Sequence, residues 1–368
     1  MSGEFFSAKP KNEMKKNIFL IIIVLGFWSC QKADVTTAGV DVYVAGYEFD
    51  RTLIVSKYWK NGNPVILGEG YATSITVSGS DVYVCGTGVG GATYWKNGSP
   101  VTLGEGYASS IVVSGNDVYV AGNIRDHAVY WKNGNPTYLP ENTRPVTSID
   151  DYPVVSTESQ AYSIFISGTD IYIAGGETIT KMISPSPNPD YITGIAALYW
   201  KNGNPVYLIQ GSYTDSKNDK ASSIFVAGQD VHASGLTRAR YWKNENSFYL
   251  PGSNDIYTKA TSISVSEGDV YLSGTQHDGG VCQASGPCRR SVAKYWKNGN
   301  PVKLTDGTKN AYTLSIAISG ADVYVAGYEE NTADTQDYVA KYWKNGKPVT
   351  LGGVSNRTFA TSIFVAKK

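Results

Sequence analysis

Side chains suited to catalysis or metal binding are few and scattered in this sequence. His127, His232 and His277 are the only three His, and none has a ligand partner at helix or hairpin spacing that could share a metal ion. Asp150 and Asp151 are adjacent, so in an extended segment their side chains point apart, unlike the facing acid and base of a glycosidase. EF-hand loops, phosphate-binding Gly loops and Gly-x-Ser-x-Gly motifs are missing from the sequence. We therefore expect no metal, no cofactor and no catalytic residue that a local motif identifies.

Three of the four cysteines lie well beyond the N-terminal segment. Cys282 and Cys288 are six residues apart in a Gly-rich insertion, where an oxidising compartment would favour a disulfide that constrains the loop. A pair of metal ligands is the alternative, although no His or further Cys stands at ligand spacing. Cys85 takes a position that is Ala or Ser in the sister repeats described below, so we expect a small buried thiol.

The N-terminal segment has the features of an export signal. Lys15 and Lys16 precede an apolar run over 18–27, which is too short to span a bilayer comfortably, and a small residue then precedes Cys30. This arrangement resembles the lipobox of bacterial lipoproteins, in the relaxed form of Bacteroidota lipoproteins. The resemblance implies that Cys30 is acylated and becomes the mature N-terminus, with Met14 as the true start. An uncleaved signal anchor is the alternative. The predicted organisation is a signal peptide over 1–30, a linker over 31–40 and one repeat domain over 41–368.

The charge balance and the predicted export signal together restrict the possible binding partners of the protein. Lys plus Arg and Asp plus Glu both number 32, so the chain has no general field to attract nucleic acid. The lipobox resemblance implies an exported protein, attached by lipid to the cell envelope at the outer membrane. Whether it faces the periplasm or the cell surface stays open. We expect a monomer with no nucleic-acid partner.

Seven internal repeats account for nearly all of the chain beyond the linker. A Tyr-Trp-Lys-Asn motif recurs at Trp59, Trp95, Trp131, Trp200, Trp242, Trp296 and Trp343. An Asp opens an alternating apolar run at Asp41, Asp81, Asp117, Asp170, Asp230, Asp269 and Asp322. A Ser-Ile pair recurs at Ser74, Ser110, Ser163, Ser223, Ser262, Ser315 and Ser362. Each repeat predicts four short strands: a Ser-Ile strand, an Asp-led strand ending in Gly, a Tyr-Trp strand ending in an Asn-Gly turn, and a brief fourth strand.

The spacings between these motifs separate two ends of the repeat. From Ser to the next Asp the separation is always seven residues, and from Trp to the Leu of the fourth strand it is always eight. The other two connections vary from 6 to 24 residues. In an up-and-down meander the two constant turns share one end, which we call the fixed end, and the variable connections share the other, which we call the insertion end. Every insertion is therefore predicted at one end.

The chain termini predict how the stack closes. The first repeat begins at its second strand, with Asp41, and the chain finishes on a first strand around Ser362. Pairing the two would complete the first repeat and remove two exposed sheet edges. The fold class is thus predicted as all-β: a seven-bladed β-propeller of four-stranded antiparallel blades, closed by the C-terminal strand. The strand pattern resembles kelch-type propellers, and the run from Trp343 to Gly353 resembles extracellular repeats with a Trp-x-x-Gly turn and Leu-Gly-Gly. We take from this resemblance the architecture alone.

Residues present in every repeat are interpreted as structural. We assign the seven Trp to packing between blades rather than to sugar-binding platforms, and the seven Ser to bonds between inner strands rather than to ligand contacts. The seven Asp are expected to bond their own turn or to pair with the Lys after each Trp across blades. In the fifth repeat, His232 replaces a Tyr and is expected in the core, and Glu245 replaces the turn Gly and is expected to relax the turn.

The candidate functional residues lie in three long insertions, over 141–160, 177–197 and 275–292. Ligand-binding residues gather on loops that a rigid scaffold displays. The candidate ligand-binding residues are Asp150, Asp151, Tyr152, Tyr191, His277, Asp278, Arg289 and Arg290. Three solvated loops without a function are the alternative.

Two functions fit these features. The first is a non-catalytic binding or scaffolding lipoprotein that engages a protein or glycan through the insertion end. The second is an envelope enzyme acting on glycans, with acids drawn from the insertions of the fourth and sixth blades. A convergent carboxylate or Arg cluster would favour the enzyme, and a flat surface rich in Tyr would favour binding. Propellers host many unrelated tasks, so the fold decides neither.

Overall fold

The computed structural model divides the chain into two compact units, Met1–Thr36 and Thr37–Lys368. The structure describes residues 39–50, 52–141, 154–182, 184, 190–208, 219–251, 257–282, 286–331, 337–353 and 357–368. Within these ranges, the side chains of 154, 155, 192 and 278–289 are not described. The predicted signal peptide, Cys30 and most of the linker lie outside these residues. No helix in the described ranges has the length and apolar character needed to cross a membrane.

The described residues form strands and turns only, which confirms the all-β class. The first fourteen strands are β1 (Val40–Asp50), β2 (Leu53–Lys60), β3 (Asn63–Ser78), β4 (Asp81–Gly88), β5 (Gly91–Lys96), β6 (Ser99–Gly104), β7 (Tyr107–Ser114), β8 (Asp117–Ile124), β9 (His127–Lys132), β10 (Asn135–Tyr138), β11 (Val154–Ser167), β12 (Asp170–Met182), β13 (Tyr191–Lys201) and β14 (Asn204–Tyr207). The others are β15 (Ala221–Ala227), β16 (Asp230–Gly235), β17 (Arg240–Lys243), β18 (Asn246–Tyr249), β19 (Lys259–Ser266), β20 (Asp269–Cys282), β21 (Gly286–Lys297), β22 (Asn300–Lys303), β23 (Ala311–Ser319), β24 (Asp322–Glu330), β25 (Tyr338–Lys344), β26 (Lys347–Thr350) and β27 (Arg357–Lys367).

These strands form five four-stranded antiparallel sheets and one sheet of seven strands in the order β27-β1-β2-β3-β4-β5-β6. The larger sheet holds two repeats that share one strand. β3 pairs with β2 over residues 63–69, as the fourth strand of repeat one, and with β4 over residues 70–78, as the first strand of repeat two. The C-terminal strand β27 pairs antiparallel with β1, from Val40 opposite Lys367 to Phe49 opposite Arg357. We number the repeats one to seven in the order of their Trp residues.

The fixed end consists of tight turns throughout. Every connection from a first to a second strand within the chain, and from a third to a fourth, contains two residues. The Asn-Gly turns have positive φ at both positions, as at Asn97 (50°) and Gly98 (87°), which is the conformation that a type I′ hairpin requires. Repeat five keeps this conformation, with φ of 46° at Asn244 and 68° at Glu245. The expectation that Glu245 relaxes the turn is therefore wrong, because the flanking strands hold the turn against the preference of its side chain.

The first strands of successive repeats are joined by one kind of hydrogen bond. In each case the backbone N–H of the Ile after the repeat Ser donates to the Ser hydroxyl of the preceding repeat, at 3.2–3.4 Å. The donors Ile75, Ile111, Ile164, Ile224, Ile263, Ile316 and Ile363 meet the acceptors Ser362, Ser74, Ser110, Ser163, Ser223, Ser262 and Ser315 in that order. On β27, Ile363 donates to Ser315 and Ser362 accepts from Ile75. The structural role predicted for the seven Ser is confirmed.

Seven apolar clusters lie between neighbouring repeats, and each contains one of the repeat Trp residues. All seven Trp are 2% exposed or less. Trp95, for example, packs in a cluster with Tyr43 and Leu67 of repeat one, and Trp59 of repeat one packs with Tyr324 of repeat seven. The packing role predicted for the Trp residues is confirmed. This repeated stacking of four-stranded meanders is the architecture of a β-propeller.

In every repeat but the fifth, the Gly that ends the apolar part of the second strand faces the backbone of the first strand. A bulge in the first strand, such as the register shift between Ala72 and Ser74, moves a carbonyl toward this position. A Cβ built on Gly86 would lie 1.8 Å from the carbonyl oxygen of Tyr71, and the Gly46 equivalent would lie 2.0 Å from that of Phe359. Only Gly leaves room for such a backbone approach.

The Gly86→Ala variant tests this account of the repeat. Because the nearest atoms are all backbone, the added methyl forces the two strands apart, and we expect a loss of about 3 kcal/mol in unfolding free energy. Gly90→Ala is the matched control in the same hairpin, since its Cβ meets only the Thr102 side chain, at 3.2 Å. Urea unfolding of both variants measures the difference. Equal stabilities would show that the strands have more freedom here than the bulge implies.

Candidate functional site

The fixed end repeats one ion-paired turn. In repeat two, Lys96 Nζ lies 2.8 Å from Asp81 Oδ2 and 5.3 Å from the centre of the Tyr83 ring. Asn97 donates from Nδ2 to Asp81 Oδ1 and accepts the backbone N–H of Val82, both at 2.8 Å. The hydrogen bond from Lys96, followed by that from Asn97, lowers the pKa of the Asp81 carboxyl. The Asp thereby joins the two constant turns of its own repeat.

The same pairing occurs in all seven repeats, with Lys Nζ to Asp Oδ2 distances of 2.7–3.5 Å. The pairs are Lys60–Asp41, Lys96–Asp81, Lys132–Asp117, Lys201–Asp170, Lys243–Asp230, Lys297–Asp269 and Lys344–Asp322. Each joins the second and third strands of one repeat. The expectation of pairing across blades is therefore wrong, because the third strand of the same repeat brings its Lys closer than any neighbour does. These charges neutralise each other and leave a fixed end specialised for structure.

Two of the three insertions predicted as loops are strand extensions. The insertion over 177–197 continues β12 and β13, with Met182 opposite Tyr191. The insertion over 275–292 continues β20 and β21, with Cys282 opposite Gly286. The loop interpretation of both is wrong, because sequential antiparallel pairing satisfies the backbone along the paired part of each insertion. In the insertion over 141–160, the described part from Val154 onward belongs to β11.

The predicted ligand-binding residues divide between these elements. Asp150, Asp151 and Tyr152 lie outside the described residues. Tyr191 begins β13 and is 56% exposed. In repeat six, His277 lies opposite Ser291, Asp278 opposite Arg290, and Gly279 opposite Arg289, so one hairpin brings four predicted residues together. The side chains of Asp278 and Arg289 are not described, and neither are those of Cys282 and Cys288, so the disulfide stays a prediction.

The described polar groups of the repeat-six hairpin are tied to their neighbours. His277 Nε2 lies 3.3 Å from Ser291 Oγ, but Ser291 is only 2% exposed, so solvent does not reach this hydroxyl. Arg290 lies 3.9 Å from Glu330 Oε2 on β24. Glu330 is itself buried and accepts the backbone N–H and the Nδ2 of Asn310, both at 2.9 Å. These contacts fix the hairpin against repeat seven.

An aromatic cluster that was not predicted from the sequence lies at the insertion end of repeats seven, one and two. Tyr47 lies with its ring centre 4.9 Å from that of Phe359 and 5.0 Å from that of Tyr71, and Tyr328 lies 4.8 Å from Phe359. The full set, called the aromatic cluster below, is Tyr47, Phe49, Tyr71, Tyr312, Tyr328, Tyr338 and Phe359. Phe49 and Tyr71 are exposed, at 36% and 40%, and the others are half-buried. Burial raises the pKa of Tyr338 to about 12, so its phenol stays a hydrogen-bond donor at neutral pH.

The sequence signal that could have revealed this cluster is the residue type at the position three residues before each repeat Ser. At the insertion end of the first strands this position holds, from repeat one to repeat seven, Phe359, Tyr71, Tyr107, Gln160, Lys220, Lys259 and Tyr312, which we call the rim set. It lies opposite the residue after the strand-two Gly, as Tyr107 does opposite Asn123 and Tyr312 opposite Tyr328. Because its residue type changes between repeats, the position does not serve the repeat itself.

Repeat five contains a buried acid at the insertion end. Asp219 is 2% exposed, and its Oδ1 accepts the backbone N–H groups of Lys220 and Thr237, both at 2.8 Å. Its Oδ2 lies 3.9 Å from Arg240 Nε and has no hydrogen-bond partner among the described residues. Burial raises the pKa of Asp219 to about 7, while Arg240 and the two amide bonds oppose the rise.

Other chemistry is sparse in the described part of the chain. No group of three or more His, Cys, Asp and Glu there could hold a metal ion. Cys85 is fully buried beside the Thr73 hydroxyl, so the expected small buried thiol is confirmed, and burial raises the pKa of this thiol to about 12. His232 is 3% exposed with Nδ1 2.8 Å from the Tyr241 hydroxyl, as expected for a core His with its bond made.

Comparisons with known proteins give only distant structural likenesses. No protein-family model matches the chain, and no curated protein matches it in sequence. Among solved structures, apo AztD from Citrobacter koseri is 12% identical with a TM-score of 0.43, over 89% of this chain and 98% of that one. The acylaminoacyl peptidase from Pyrococcus horikoshii is 11% identical with a TM-score of 0.44, over 85% of this chain and 52% of that one. The GH43 endo-arabinanase from Bacillus licheniformis is 14% identical with a TM-score of 0.33, over 75% and 96%. At these values the likenesses carry no inference about activity.

The Asp219→Asn variant tests whether burial raises the pKa of the Asp219 carboxyl in repeat five. Because the folded state holds the Asp219 proton up to about pH 7 and the unfolded state releases it near pH 4, folding stability falls as pH rises between these values. We expect the protein to lose about 2 kcal/mol more than the Asn variant between pH 5 and pH 7.5. Urea unfolding at both pH values measures this loss, with Asp50→Asn, at an exposed position, as the control. Parallel pH profiles for the protein and Asp219→Asn would contradict the assignment.

Proposed function

We propose that residues 41–368 form a closed ring of seven blades. Two independent cycles support this proposal: the seven amide–hydroxyl bonds between first strands, and the seven Trp-containing clusters between neighbouring repeats. In the series of hydrogen bonds and in the series of clusters alike, repeat seven is followed by repeat one. The pairing of β27 with β1 supplies the first strand that repeat one otherwise lacks.

We propose that this ring is a non-catalytic binding or scaffolding protein that engages a glycan or protein ligand through its insertion end. The observation that carries the proposal is the aromatic cluster. Seven rings from three repeats lie in mutual contact where the strands end, and two of them are exposed. Exposed contiguous aromatic surface is uncommon in a monomer and is typical of interaction sites. At the fixed end, by contrast, each repeat pairs its Asp with its own Lys.

We further propose that the protein is anchored in the cell envelope by lipid on Cys30. The support is the lipobox resemblance of the N-terminal segment alone. In the producing cell, a Cys30→Ala variant should move from the membrane fraction to the soluble fraction. A variant that stays with the membrane would contradict the anchor.

The binding proposal is tested with an array of envelope glycans and envelope proteins, probed with the full chain purified in detergent. We expect binding to at least one class of probe and a loss of at least tenfold in affinity for Tyr71→Ala. Phe248→Ala is the matched control, since Phe248 is a 50% exposed ring on the outer strand β18. Equal losses in both variants would contradict a site at the insertion end. Probe cleavage during the assay would favour an enzyme acting on glycans.

A further inference from the structure

Two lysines of the rim set differ from the lysines of the fixed end. The seven lysines that follow the repeat Trp each pair with an Asp of their own repeat, whereas Lys220 and Lys259 have no carboxylate at ion-pair distance among the described residues. They occupy equivalent positions in the adjacent repeats five and six. The Lys of each Trp-Lys motif is thus neutralised at the fixed end, and these two lysines of the insertion end lack such an ion-pair partner among the described residues.

Lys220 is held in place rather than extended into solvent. Its Nζ donates to Gln160 Oε1 at 2.7 Å and lies 5.8 Å from the centre of the Tyr162 ring. Its aliphatic stem packs on Gly176, where a Cβ would lie 2.7 Å from Lys220 Cγ. Burial lowers the pKa of Lys220, while the nearby Glu158 opposes the change. An anion at this position would restore the stabilisation that the ammonium group loses on leaving water. Lys259, on β19, is exposed.

The rest of the rim set is aromatic and consecutive around the repeats. Tyr312, Phe359, Tyr71 and Tyr107 belong to repeats seven, one, two and three, and the last of them is 64% exposed. The rim set therefore has an aromatic part and a cationic part, with Gln160 between them. Aromatic rings offer apolar faces together with phenol hydroxyls, which suits a ligand that is apolar on one face and rich in hydroxyls at its edges.

Strand extensions border the cationic part of the rim set. β12 continues to Met182, beyond Gly175, and β20 continues to Cys282, beyond Gly274, whereas β4 ends at Gly88, close to Gly86. At about 3.3 Å per residue, the extensions in repeats four and six each add roughly 20–25 Å of strand. Repeats two and three have short connections at the same end. A surface with two tall hairpins at one side suits an extended chain better than a flat protein partner.

We propose that the rim set binds an acidic carbohydrate chain, with sugar rings against Tyr71, Tyr107 and Phe359 and a carboxylate or sulfate at Lys220 and Lys259. This inference rests on the proposed binding function and names its ligand class. The hydroxyls of the sugar meet the phenols and Gln160, and the acid group meets the ammonium groups of Lys220 and Lys259. An acidic peptide would supply the charge but not the apolar ring faces, and its binding is one outcome of the test below.

The test uses affinity electrophoresis of the full chain in detergent through gels containing polygalacturonate, alginate, hyaluronate or chondroitin sulfate. Dextran and fully methyl-esterified pectin are the neutral probes. We expect at least one acidic polysaccharide to retard the protein, and we expect high salt to weaken this binding. If polygalacturonate binds, methyl-esterified pectin should bind at least tenfold more weakly. Lys220→Gln with Lys259→Gln should reduce binding at least tenfold. Lys259→Arg should retain it. Lys347→Gln, at an exposed position on β26, is the control.

The variants distinguish a loss of ligand binding from a loss of folding stability. Because Lys259 is exposed, Lys259→Gln alone should keep the melting temperature and still weaken binding, even if the double variant is destabilised. No retardation by any of the four acidic probes, or equal binding by Lys259→Gln and Lys347→Gln, would overturn the acidic ligand. Tight binding of dextran or of poly-glutamate that Tyr71→Ala abolishes would overturn the ligand class and leave the binding function intact. If the unmodified protein binds no probe of the glycan and protein array, the proposed binding function itself is overturned.

Discussion

A meander of four short strands has two apolar faces, and neither can be covered from within the repeat. Each repeat of this chain therefore needs a neighbour on both sides, and the structure meets that need with a Trp on the third strand and a Ser on the first. The amide–hydroxyl bond between first strands contributes about 1 kcal/mol on its own, as hydrogen bonds between neutral groups do. Its larger role is to set the spacing of the inner strands, on which the positions of every rim residue depend.

The two ends of the repeats follow from this stacking. At the fixed end, two-residue turns leave no room for variation, and the Asp, Lys and Asn side chains satisfy each other in every repeat. At the insertion end, strands can lengthen without disturbing the stack, since an extended hairpin pairs its own backbone. Sequence variation therefore accumulates where it costs little stability. Ligand recognition of the kind proposed for the rim set can change there while the scaffold stays the same.

Most of the fold could be predicted from sequence because it is repeated. Constant spacings identified the two-residue turns, and the shared Trp and Ser positions identified the packing and the inter-strand bonds. The site was less accessible. Tyr47 and Phe359 are 312 positions apart in the chain and meet only because β27 pairs with β1. The length of an insertion does not tell whether it forms a loop, so the extensions of β12 and β20 were missed. Glu245 shows the converse, since flanking strands imposed a conformation that its residue type disfavours.

The pairing of β27 with β1 offers the most direct test of the proposed closed ring. We would compare the melting temperature of the full chain with that of a chain ending at residue 356, with and without an added peptide of residues 357–368. The account predicts that truncation lowers the melting temperature sharply and that the peptide, but not a scrambled version, restores it. A truncated chain that melts like the full chain would contradict closure.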